Sequence, residues 1–216
     1  VAAFTDHGQV ATWSLGYFYY LALPSSFSTF PAMPTPITEL RTLLLERGHE
    51  DYYGEPVSQL EHMLQCAQLA ERAGADTETI LAAFLHDIGH LLPSDDARDH
   101  MDSYGRVDHE KLGADWLRQR GFSEKIAQLI EHHVNAKRYL TFKNPDYFSR
   151  LSEASLETLR FQGGPMTAEE ARAFETNPYF VGILQVRRWD ELAKEPAMPG
   201  LDADRYLRLC ATYLGY

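Results

Sequence analysis

The chain has 216 residues, 44% of them apolar, which is enough for one domain of ordinary size with a real core. Its formal charge of -11, from 20 Lys and Arg against 31 Asp and Glu, argues against a nucleic-acid partner, because phosphate backbones demand a basic stripe. A small anionic substrate stays open, since a few cations can converge inside an acidic protein. The two cysteines, Cys66 and Cys210, exclude a disulfide scaffold and read as buried thiols of a reduced, cytoplasmic protein.

In chain order, residues 1–33 contain no Lys or Arg and many aromatics, and run into a Pro-dotted segment. The apolar run Leu15–Leu23 is shorter than the roughly 20 residues that span a bilayer, and no positive start marks a signal peptide. This stretch is expected to lie outside the domain, which occupies 34–216, with no membrane partner. Helical periodicity begins at Thr35 and stops at Arg47-Gly48. Ser58 to Ala73 follows, with Gly74 as its stop. Asp76 to His90 carries the apolar run Ile80–Leu85 and reads as a buried central helix. Asp108 to Arg120 is amphipathic, and Ser123 caps a helix expected to continue to about Tyr139. Thr167 to Glu170 has capping-box form, and helices near Pro178–Ala193 and from Ala203 complete an all-α fold. The polar stretch Leu91–Val107 is long enough to be a lid or binding loop.

The chemistry lies in an ordered series: His62, His86-Asp87, His109, His133 and Asp190. Imidazoles and carboxylates without thiolates are the donors of a hard or borderline divalent metal. A lone His-Asp pair means little, but the whole series asks for a two-metal site. Adjacent helical residues point about 100° apart, so such neighbours rarely serve one metal from one face. Asp87, with two oxygens, can bridge. His62 and Asp190 then serve the first metal, and His109 and His133 the second. His133 is preferred over His132 because it shares its face with Lys137 one turn on. His7, His49 and His100 fall outside the series.

This pattern resembles the HD superfamily. Asp51-Tyr52-Tyr53-Gly54-Glu55, Ala82 to His90, His133 to Leu140, Leu151 to Ser155 and Arg187 to Asp190 narrow the resemblance to its 2-amino-1-hydroxyethylphosphonate dioxygenases, from Ile37 to about Tyr206. The resemblance implies a mixed-valent Fe(II)/Fe(III) pair on the six ligands and O2 as co-substrate. It implies cleavage of the carbon–phosphorus bond to give glycine and phosphate. It also implies phosphonate binding by His90, Lys137, Ser155 and Arg187, a substrate-amine contact at Glu55, and a mobile metal-binding tyrosine at Tyr52. Spacing agrees: His86 and His90, His133 and Lys137, and Arg187 and Asp190 each sit three or four residues apart on a helix. An N-methylated substrate and an HD phosphohydrolase are the alternatives.

Overall fold

A computed structural model describes residues 35–52, 54–93 and 105–216. The expectations for residues 1–33, for Tyr53, and for most of the 91–107 stretch lie outside the described residues. Twelve helices make up the described regular structure: α1 Pro36–Arg47, α2 Gln59–Arg72, α3 Thr77–Leu85, α4 Ile88–Leu91, α5 His109–Arg118, α6 Glu124–Glu131, α7 His133–Lys143, α8 Pro145–Phe148, α9 Glu153–Phe161, α10 Ala168–Phe174, α11 Phe180–Leu192 and α12 Ala203–Leu214. The fold is all-α, with an isolated antiparallel bridge between Asp51 and Ser58. No described helix is long and apolar enough to cross a membrane.

Helix α3 sits at the centre and packs against α2, α6, α11 and α12. Leu81, Ala82, Ala83, Phe84 and Leu85 are all fully buried, so the helix is apolar all round, as a helix enclosed by others must be. The starts of the surrounding helices are written locally. Ser58 and Thr167 each form a reciprocal capping box, with Glu61 and Glu170, and Asp76 and Ser123 accept from the backbone at Thr79 and Ile126.

The structure departs from the periodicity at two places. The helices expected over 76–90 and 123–139 are each interrupted, at His86-Asp87 and at His132. Asp87 (φ -102°, ψ 9°) and His132 (φ -107°, ψ 6°) occupy the sparsely allowed region between helix and strand, where active-site residues often lie. Each break opens a helix end and frees carbonyls from the i→i−4 ladder. Helices α8 and α9, begun by Asn144 and Ser152 as side-chain caps, were not expected from periodicity.

Candidate metal centre

Three of the four series histidines use the same local device. His86 Nδ1 lies 2.9 Å from the carbonyl oxygen of Ala83, His109 Nδ1 3.2 Å from that of Arg106, and His133 Nδ1 2.7 Å from that of Ile130. In each case the acceptor sits three residues back. His62 is held instead from across the fold, with Nδ1 2.9 Å from the carbonyl of Ala193 just beyond α11. A carbonyl can only accept, so each Nδ1 carries the proton and each Nε2 presents its lone pair.

Those lone pairs converge. The Nε2 atoms of His62 and His86 are 3.0 Å apart, and those of His109 and His133 are 3.3 Å apart. Asp87 lies between the two pairs. Its Oδ2 is 3.4 Å from His62 Nε2 and 3.3 Å from His86 Nε2, while its Oδ1 is 3.4 Å from His109 Nε2 and 3.6 Å from His133 Nε2. Asp190 Oδ1 joins the first pair, 3.4 Å from His62 and 4.0 Å from His86. All six side chains are buried.

Acceptors facing acceptors at these distances repel one another unless a cation lies between them. Two donors each about 2.1 Å from one ion, at tetrahedral or octahedral angles, sit about 3.0–3.4 Å apart. The donor set therefore fits two divalent ions bridged by Asp87. The first would take His62, His86, Asp87 and Asp190. The second would take only three residues, Asp87, His109 and His133, which leaves open positions, as catalytic rather than structural sites do.

The electrostatics agree. Burial pushes the His62 imidazole down, but its contacts with Asp190 and Asp87 carry it up to about 9, and the field that holds a proton there also attracts a metal. Burial, with the charge of His86, pulls His133 down to about 3, so it keeps its lone pair across the neutral range. Against their burial, Asp87 and Asp190 are held well below the usual carboxylate range, Asp87 chiefly by His86 and Asp190 chiefly by Arg187.

His132 lies elsewhere, half-buried, 2.9 Å from the Asn135 amide and edge-on to Phe174. His49 is exposed. Cys66, one turn along α2 from His62, brings its sulfur within 4.8 Å of the His62 and His86 nitrogens. Burial, then Asp190 and Asp87, push its thiol well up, so it stays protonated and packs beside the first quartet.

A small cavity of about 50 Å³ opens on the His109–His133 side. Tyr52, Glu55, His90, Lys137, Ser155 and Arg187 all line it. Tyr52 stacks on His62, ring centroids 3.9 Å apart. His90 stacks on His109 at 3.8 Å and accepts the Arg106 N–H at Nδ1, so its proton is on Nε2. Burial and then Arg187 pull the Lys137 ammonium down to about 7; its Nζ donates to Thr158 Oγ1 at 2.7 Å. Arg187 donates to Asp190 Oδ2 at 2.7 Å and to Glu191 Oε1 at 2.8 Å, so it orients the Asp190 carboxylate and keeps only part of its fork for the cavity. Sequence reasoning missed Thr158, Gln162 and Lys194, which also line the cavity. Lys194 follows Asp190 by one turn, the same relation that singled out Lys137 after His133.

The HD domain family model matches residues 60–173. The chain is 48% identical over 152 residues (70% of this chain, 76% of the relative) to the [1-hydroxy-2-(trimethylamino)ethyl]phosphonate dioxygenase (glycine-betaine-forming) of Leisingera caerulea. It is 41% identical over 172 residues (79% and 84%) to the hydroxymethylphosphonate dioxygenase of Gimesia maris. It is 44% identical over 167 residues (77% and 76%) to an uncharacterized protein of Acanthamoeba polyphaga mimivirus. With more than half its length matched by the family model, and relatives this similar over most of their length, the chain belongs to the HD domain family, in the group that includes these phosphonate dioxygenases.

Proposed function

We propose that the protein is a di-iron oxygenase that cleaves the carbon–phosphorus bond of a short 1-hydroxyphosphonate. The first substrate to test is 2-amino-1-hydroxyethylphosphonate, with glycine and phosphate as products. The observation that carries this reading is Lys137. It is buried beside the open metal pair, and among the described residues no carboxylate lies within 4.0 Å of its ammonium. A buried cation without a counter-ion is costly unless an anion arrives to pair with it. Relatives that act on phosphonates supply the class of anion.

The stoichiometry closes with O2 alone. Carbon 1 goes from alcohol to carboxylate, the bond to phosphorus breaks, and the two oxygen atoms end in the carboxylate and the phosphate. Iron suits the nitrogen and oxygen donors and, unlike zinc, changes valence; held by His62, His86, Asp87, His109, His133 and Asp190 as an Fe(II)/Fe(III) pair, it would supply the binding and reduction of O2.

The chain's own side chains do the rest. Lys137, Ser155 and the Nε2–H of His90 hold the phosphonate oxygens, and the remaining Arg187 nitrogen adds a further donor. These contacts aim carbon 1 at the metal pair, which is the entropic part of the catalysis. Glu55 faces the tail of the substrate. Tyr52, packed on His62, guards the other side of the centre.

The test is phosphate release from 2-amino-1-hydroxyethylphosphonate and from hydroxymethylphosphonate by iron-loaded protein, with and without O2. Oxygen-dependent phosphate, with glycine in equal amount from the first compound, is the expected result. Hydrolysis of phosphate esters without O2, and no release from either phosphonate, would replace the oxygenase with a phosphohydrolase.

A further inference from the structure

Glu55 carries a partner of its own. Its Oε1 accepts from Lys194 Nζ at 2.5 Å and from Ser152 Oγ at 2.6 Å. Both charged side chains are mostly buried, Glu55 10% and Lys194 18% exposed, so water screens the pair weakly. The carboxylate that faces the substrate's tail is thus already neutralised by a tethered ammonium.

The tether is short and its base is pinned. The Ala193 carbonyl holds His62 Nδ1. One residue beyond Lys194, the Gln65 amide brackets the backbone of Glu195, accepting from its N–H at 3.0 Å and donating to its carbonyl at 2.9 Å. The backbone of Lys194 therefore has little freedom to retreat, and only its side chain can move. It has somewhere to go: Lys194 and Ser155 form the wall between the substrate cavity and a second one of about 300 Å³, which Glu191 also lines.

We infer that Lys194 is the specificity-determining residue of this pocket, a built-in ammonium that occupies Glu55 and must be displaced by any substrate whose tail is cationic. This rests on the phosphonate reading above and deepens it. A neutral tail, such as the hydrogen of hydroxymethylphosphonate, leaves the Glu55–Lys194 pair intact. A primary ammonium can exchange with Lys194, because it donates the same hydrogen bonds to the carboxylate. A quaternary ammonium cannot donate, so it competes on charge alone and is the least favoured of the three. The pocket discriminates by what a substrate has to evict as well as by what it contacts.

Binding of two unreactive isosteres reads this directly. 2-Aminoethylphosphonate and propylphosphonate have tails of equal size and no 1-hydroxyl, and differ in the ammonium. Their dissociation constants are measured by calorimetry on the metal-loaded wild type, Lys194→Met, and the Lys194→Met/Glu55→Gln double variant. The wild type should prefer the amine by no more than about threefold. Lys194→Met should raise that preference roughly tenfold, a typical size for a partly buried charge contact, and the double variant should lose the gain. Lys194→Gln, which keeps a donor for Glu55 without the charge, should move the ratio in the same direction by less. Equal changes in both affinities would make Lys194 a structural or general anion-binding residue and overturn the inference alone. No binding of either phosphonate to the wild type would overturn the phosphonate reading and the inference with it.

Discussion

The sharpest structural prediction concerns Gly89. It sits two residues after Asp87, where α4 crosses α5. A Cβ added there would lie 1.9 Å from the carbonyl oxygen of His109 and 3.0 Å from the backbone nitrogen of Gly113. An ordinary carbon–oxygen contact is about 3.3 Å, so in Gly89→Ala the start of α5 must retreat by roughly 1.4 Å. Both obstacles are backbone, so no rotamer change relieves them. His109 rides on that turn, and a metal–nitrogen bond of about 2.1 Å does not survive such a displacement. Overpacking of this kind costs about 1–3 kcal/mol or more, which for a domain of this size lowers Tm by roughly 2–12 °C. Metal content per chain and thermal unfolding check it together. Gly89→Ala should lose the metal of the His109–His133 pair and melt earlier. Two controls separate this from a generic glycine effect. Gly113→Ala meets Gly89 N and Ile88 Cγ2 at 3.1 Å, a few tenths too close, and should keep both metals. Gly74→Ala meets nothing within 4 Å but sits at φ +72°, so it should cost about 1–2 kcal/mol of backbone strain with the metals unaffected. Full metal loading and an unchanged Tm in Gly89→Ala would refute the claim that this helix crossing sets the His109 position.

Anion affinity should fall as pH rises through about 7, because only the charged Lys137 binds an anion and burial holds its pKa there; at pH 8, phosphate binding should draw a proton from the buffer. Calorimetry in buffers of different ionisation enthalpy measures that proton, and an affinity flat from pH 6 to 9 would sink it. The sign for folding is opposite. The unfolded lysine titrates near 10.5, so between about pH 7 and 10.5 the unfolded chain holds the extra proton and Lys137 makes stability rise with pH, a slope that Lys137→Met should abolish. His133→Ala should empty the second metal position, whereas His132→Ala should keep both metals and cost about 1 kcal/mol or less for a half-buried ring, as metal analysis would show. Tyr52→Phe keeps the stack on His62 but loses the hydroxyl; reduced iron should then be oxidised by O2 without substrate, and oxygen uptake should exceed phosphate release.

How much of this was legible in the sequence depends on the physics behind each residue. The ligand series was legible because imidazoles and carboxylates are rare inside apolar helical patterns, and each one there needs a reason. The helix breaks at Asp87 and His132 were not, because periodicity reports which face is buried, and that face continues across both breaks. The breaks nonetheless make the site: they free the Ala83 and Ile130 carbonyls that orient His86 and His133. Ser155 was found through resemblance alone, since α9 is short and mostly half-buried, with only Leu159 fully buried. Lys194 had a signal that went unread, a cation one turn after a ligand. Its partner Glu55 is 139 residues away in the chain, and no local pattern announces a pairing at that distance.

Charge accounting around the cavity explains why one cation there differs from the others. Arg187 is committed to Asp190 and Glu191, and Lys194 to Glu55, so each of these charges is repaid inside the fold. Among the described residues, the Lys137 ammonium has only a threonine hydroxyl. A well-packed apolar residue in its place would make the folded chain more stable, because an ammonium taken out of water without a counter-ion costs several kcal/mol. A cavity whose other two described cations are each paired with a carboxylate departs from that pattern at this one described lysine. It does so at the open side of a two-metal site, which is where an arriving dianion would restore the balance.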